Sequence, residues 1–318
     1  MKIFSLSFYK ETGALLLDAY RGFSSDNALK MSASLAYYTI FSIAPLLLIV
    51  IWAIGFLYGE HVAGQTSIQR EIFSELAGLF GQEVAEQVQQ VVEKISISNK
   101  SGIGIAIGIG TLIIGSTTIF IEIQDSLNTI WRLRPKPRKG WLKMIINRAL
   151  SFSMVLGLGF LLFASLLLNG IIMALSNQIS QYFPELSLWM IEWVNIGLTF
   201  LVITTLFGTI FGVLPDARLR FRDILGGALF TAALFMLGRY LISIYIRFGA
   251  PASAYGAAGT IIVLLLWIYY SAAILYFGAE FTKVYAQRYG KGIRPASYAV
   301  RIVQQEQELP SGRTDNPE

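Results

Sequence analysis

Residues 256–281 read GAAGTIIVLLLWIYYSAAILYFGAEF, and from Gly256 to Ala279 the run holds no charged side chain. As a helix it would be about 39 Å long at 1.5 Å per residue, enough to cross the ~30 Å hydrocarbon of a bilayer and too long for an ordinary core element. Lipid offers nothing to hydrogen-bond a bare backbone, so such a run must be helical. Working outward, the same reading applies to Ile224–Ile246, Trp189–Leu214, Leu150–Leu175, Ile103–Ile123 and Thr39–Tyr58. The sequence therefore predicts an all-α membrane protein, a bundle of six transmembrane helices.

Composition agrees. Of 318 residues, 54% are hydrophobic and 14% charged, with mean hydropathy +0.58. Soluble domains carry roughly 25% charge, so an ordinary water-soluble enzyme is excluded. The chain has no cysteine, which removes disulfides, thiolate metal sites and cysteine nucleophiles, and its one histidine, His61, speaks against a metal centre. No cofactor and no catalytic residue are expected.

Orientation follows from the distribution of Lys and Arg. Twenty of them fall on one side: in the N-terminal segment, in Gln124–Arg148, in Pro215–Asp223 and after Phe281. Only Arg70, Lys94, Lys100 and Arg247 fall on the other, and Arg239 lies inside the fifth span. Both termini are expected in the cytoplasm. The net charge of +5 is then a topology signal, and the Arg132–Lys143 cluster reads as a cytoplasmic loop touching anionic lipid, with no motif that points to nucleic acid.

The flanks divide the chain into a cytoplasmic amphipathic segment (1–30), the membrane domain (31–295) and a polar cytoplasmic tail (296–318). Residues 1–30 mix charges with apolar residues and lack a signal-peptide core, so the first span is expected to serve as its own insertion signal. Leu15, Leu16, Ala19, Tyr20 and Phe23 suit an interfacial helix, and Asp26 suits the N-cap of a helix that runs toward Tyr58 with a kink at Pro45. In the external loop 59–102, Phe73, Leu76, Phe80, Val84, Val88, Val91 and Ile95 recur at spacings of three or four, which predicts an amphipathic helix. That helix either packs on the bundle or docks an envelope partner through residues 70–95.

Charges at membrane depth are expensive, and this singles out candidate residues. Arg239 sits inside the fifth span, where it contacts a solute in a polar cavity, pairs with Glu192 near the outer end of the preceding span, or snorkels to the headgroups. Glu122, Asp125 and Glu280 cluster at the inner ends of the second and sixth spans, within reach of Lys283, Arg132 and Arg148. They either line a route for a charged solute or form interfacial ion pairs. Ser253, Tyr255, Gly256 and Gly259 form a helix-opening motif at the outer start of the sixth span, compatible with a broken helix or with a tight turn. Gly104 and Gly108 have the small-xxx-small spacing of closely packed helices.

Three stretches carry a family resemblance: SASLAYYTIFSIAPLL at 32–47, NTIWR at 128–132, and SAYGAAG at 253–259 continuing to LLWIYYS at 265–271 and GAEFT at 278–282. Together they resemble the YihY/BrkB family of bacterial inner-membrane proteins over residues 10–295. The resemblance implies a six-span inner-membrane protein; some members are labelled virulence factors and others ribonuclease BN. The residues argue against the second label, because metal-dependent RNA hydrolysis needs clustered His and Asp ligands.

The reading that results is a transporter or translocase of unknown substrate, with membrane lipids as its surroundings and a homo-oligomer compatible with it. The alternatives are a non-transporting scaffold for envelope assembly and, least favoured, a ribonuclease.

Overall fold

The computed structural model describes residues 6–41, 74, 77, 82, 85, 86, 89, 118–136, 184–249 and 259–303. The described chain is mostly helical: α1 (Leu6–Ser25), α2 (28–41), α3 (118–130), α4 (Pro184–Val213), α5 (Phe221–Gly249) and α6 (Gly259–Tyr289). Four very short strands accompany them: β1 (Leu133–Pro135), β2 (Ala217–Arg218), β3 (Arg294–Pro295) and β4 (Ala299–Arg301).

Three of these helices contain segments long and apolar enough to cross a membrane: Glu192–Val213 in α4, Phe221–Tyr245 in α5 and Ile261–Tyr289 in α6. They match the last three predicted spans. Of the others, Thr39–Tyr58 and Ile103–Ile123 fall mostly, and Leu150–Leu175 wholly, outside the described residues. In the predicted external helix, the six described residues are helical, with Gln82 donating to Glu86 at 3.2 Å.

α5 packs between α4 and α6. Rings link the three: Phe207 of α4 meets Phe235 of α5 edge-on at 5.7 Å, and Phe235 meets Trp267 of α6 at 6.0 Å. In lipid, burial of apolar surface drives helix association only weakly, so close backbone approach matters more. Gly227 of α5 lies against the Thr282 side chain of α6, and Gly278 of α6 lies against Thr231 of α5, with no room for a Cβ at either glycine. Each threonine hydroxyl donates to the carbonyl of the glycine four residues back on its own helix, at 2.7 Å, so neither is left unsatisfied in the contact.

α1 runs antiparallel to the end of α6, as an amphipathic helix would. Leu15 and Ala19 are buried, while Leu16, Leu17 and Tyr20 are exposed. Arg288 binds the Glu11 carbonyl at 3.3 Å and Asp18 at 2.8 Å, and Phe23 meets Phe277 edge-on at 5.7 Å. α1 and α2 are separate helices, because Asn27 adopts a left-handed backbone with φ 54°. The Asn27 carbonyl accepts from Lys30 and Met31, and Asp26 is not the cap that its sequence suggests: its carboxylate turns inward to a pair of cations.

The predicted tail boundary at 295 cuts through ordered structure. After α6, Gly292 takes φ +70°, a conformation glycine adopts without strain, and the chain then crosses the face where α3, α4 and α6 end and α5 begins. There β3 pairs with β2 and β4 pairs with β1, both antiparallel. Residues 290–303 thus strap the α3–β1 turn to the α4–α5 connection.

Candidate functional site at the loop face

Two polar clusters meet under this strap. The first is centred on Asp216, in the bend after α4. α3 presents Ile123, Leu127 and Ile130 to the core, and on the same side carries two buried amides, Gln124 and Asn128, four residues apart. Gln124 Nε2 donates to Asp216 Oδ1 at 3.1 Å and Asn128 Nδ2 to Oδ2 at 3.0 Å, while the Asp216 backbone N–H donates to Asn128 Oδ1 at 2.9 Å. From the strap, the Ala296 N–H reaches the Asp216 carbonyl at 3.0 Å. Tyr298 also hydrogen-bonds the carboxylate; partial burial and the adjacent Asp216 charge hold its phenol above the ordinary range, so it stays a donor. Asp216 is 1% exposed. A buried carboxylate met by this many donors is a fully satisfied structural hub.

The second cluster is a chain of charges. Arg132, after α3, binds Asp26 Oδ1. Lys283 of α6 lies 3.5 Å from Asp26 Oδ2 and 3.0 Å from Glu280 Oε2. The Asp26 side chain is 1% exposed and that of Glu280 0%, whereas Arg132 and Lys283 keep part of their surface in solvent. Glu280 Oε1 is buried and meets no hydrogen-bond donor. Gly22 of α1 packs directly on the Glu280 carboxylate, so a Cβ there would collide with it. Arg132 itself has φ 57°, a conformation costing roughly 1–2 kcal/mol outside glycine. It is held there by its N–H on the Thr129 carbonyl and by the Ile302 N–H on its own carbonyl. Beside it, Trp131 Nε1 donates to the Ala279 carbonyl at 3.1 Å, tying the α3 turn to α6 one residue before Glu280.

The sequence-selected residues therefore separate. Glu280 ends the charge chain, joined to Lys283 as expected. Arg132 binds Asp26. Glu122 is half-buried. Asp125 is exposed and lines an open cleft of about 500 Å3 with Thr129, Arg134 and Lys136. Arg239 is half-buried on α5 and Glu192 exposed on α4. Of the helix-opening motif, Gly259 is buried at the start of α6; Ser253, Tyr255 and Gly256 lie outside the described residues, as does Arg148. Sequence reasoning missed Asp26 as an ion-pair partner, the Asp216 hub and Trp131. The available signal was the pair of amides at i and i+4 on an otherwise apolar helix face.

An α-helical protein with membrane-spanning helices, closed at one basic end by a polar hub and an ion-pair chain, is thus the class that fold and site define. The family model described as virulence factor BrkB matches residues 19–302, and the chain belongs to that family. It is 29% identical over 279 residues to a UPF0761 membrane protein of Psychromonas ingrahamii, covering 86% of this chain and 88% of that one. It is 30% identical over 269 residues to a UPF0761 membrane protein of Pseudomonas paraeruginosa, covering 81% of this chain but only 59% of the longer relative. A UPF0761 membrane protein of Idiomarina loihiensis is 28% identical, with 87% and 92% covered. No solved structure matches. Of the stretches that suggested this family, NTIWR supplies Asn128, Trp131 and Arg132, and GAEFT supplies Gly278, Ala279, Glu280 and Thr282.

Proposed function

We propose that the protein is a six-span transporter or translocase of the bacterial inner membrane, with both termini and the strapped face in the cytoplasm. The observation that supports this most is Glu280: a fully buried carboxyl on a membrane-spanning helix, with one oxygen met by no donor, close to a second buried carboxylate on the same lysine. A buried charge kept for structure alone is normally satisfied completely, as Asp216 is in the bend after α4. A group left half-satisfied at such cost fits one whose partner changes during a working cycle. The ion-pair chain then acts as an inner closure, because it joins α6 to the α1–α2 turn and to the end of α3. The basic residues gathered at this face support its cytoplasmic placement.

The test is reconstitution into liposomes with a panel of charged and amphiphilic solutes and lipids. Flux above empty vesicles, reduced in Glu280→Gln and Arg239→Ala, is the expected result; no flux for any of the panel would sink the transport reading. A scaffold would instead lose its cellular role on alteration of residues 70–95 while tolerating both substitutions. The absence of cysteine permits a clean check of orientation, since single cysteines introduced at Val303 should react only from the cytoplasmic side.

A further inference from the structure

The strap sets two arginines side by side. Arg218 and Arg294 are direct partners in the β2–β3 ladder, and opposed residues of an antiparallel pair project to the same face with Cβ atoms roughly 5 Å apart. Both are exposed, and among the described residues no ion pair takes up either guanidinium. The nearest carboxylate along the chain, Asp216, is buried and already bound to Gln124, Asn128 and Tyr298. Like charges placed opposite each other destabilise a strand pair. Arg220, just before α5, and Arg222, in its first turn, add two more exposed cations where the positive end of the helix dipole disfavours them. Asp223, the acid of that turn, is buried against Gly290. Four exposed arginines with this placement call for an anion, and planar guanidiniums suit the oxygens of a phosphate. From the same point, Phe221, Leu225 and Leu229 follow one another along α5 at four-residue spacing, all exposed, with Phe221 at 75%. Exposed cations at Arg218, Arg220 and Arg222 that lead within a few residues into an exposed apolar stripe on a membrane-spanning helix suit a phosphate followed by an acyl chain.

We propose that Arg218 and Arg294, with Arg220 and Arg222 beside them, bind the phosphate of an anionic phospholipid whose acyl chain lies along Phe221, Leu225 and Leu229. The site stands apart from the transport reading, because it requires no solute to move.

The experiment compares the purified full-length protein in neutral detergent with added phosphatidylglycerol, phosphatidylcholine or inorganic phosphate, reading lipid retention by native mass spectrometry and unfolding temperature by fluorescence. Phosphatidylglycerol should be retained and should raise the unfolding temperature. Arg218→Gln/Arg294→Gln should weaken that retention at least tenfold, the factor that about 1.4 kcal/mol represents. Arg220→Gln/Arg222→Gln, which leaves the strap intact, should weaken it as well and keeps the idea testable if the first pair misfolds. Without anionic lipid, Arg294→Gln should unfold at the same or a higher temperature than the natural chain, because a repulsion has been removed. Equal retention of phosphatidylcholine, or undiminished phosphatidylglycerol binding in both double variants, would overturn the site. A full shift with inorganic phosphate alone would overturn the lipid as its occupant.

Discussion

Asp216 and Glu280 are both buried carboxylates under the same strap, and they are treated in opposite ways. Asp216 is surrounded by neutral donors from α3 and the strap, so its charge is dispersed over hydrogen bonds whose partners have no charge of their own to desolvate. Glu280 answers one lysine with one oxygen and leaves the other without a donor, while Asp26 competes for the same lysine. The difference separates rigidity from readiness: the first arrangement fixes the α3, α4 and strap segments in one geometry, and the second holds α6 to the α1–α2 turn by pairs that a single added or lost charge unbalances.

The largest expected effect comes from isosteric neutralisation of the hub. In Asp216→Asn an amide N–H2 must face Gln124 Nε2 or Asn128 Nδ2, two donors without an acceptor between them, and roughly 3 kcal/mol of stability should be lost in denaturant titration in mixed micelles. Gly278→Ala pushes a methyl into Thr231 across the α5–α6 contact and should cost about 2 kcal/mol in the same assay, with an equal loss in Gly227→Ala if the contact is as reciprocal as its geometry. Trp131→Phe removes one hydrogen bond to the Ala279 carbonyl and should cost about 1 kcal/mol, mostly by loosening α3 from α6. The matched change at the other carboxylate, Glu280→Gln, should cost less than about 1 kcal/mol, since its amide carbonyl can still accept from Lys283 and its N–H2 sits where no donor stood. Equal losses in Asp216→Asn and Glu280→Gln would erase the distinction between the two sites. A stable Glu280→Gln protein with lost flux would sharpen it.

The spans of α4, α5 and α6 were legible because lipid imposes a long apolar run that no soluble element needs, and their predicted ends lie within a few residues of the observed ones, except where α6 continues amphipathically to Tyr289 along α1. Glu280 was legible as a charge at a span end. Its neighbours were not, because Asp26 meets Lys283 from 257 positions away in sequence, and no local pattern encodes that meeting. The Asp216 hub failed for the same reason, being assembled from residues 88 and 92 positions apart. Strands of two or three residues such as Arg294–Pro295 and Ala299–Arg301 are too short to show alternation, so residues 296–303 read as polar tail until their partners are seen.

Among the described elements, residues 290–303 leave the ribosome last, yet β3 and β4 must pair with segments synthesised some 75 and 165 positions earlier. Until translation reaches them, the exposed edges of β1 and β2 and the unfilled backbone side of Asp216 remain open, whatever the state of the membrane helices. The strap therefore works as a completion mark: a chain stopped before it would insert its spans and still present an unfinished surface to the proteases and chaperones that inspect it.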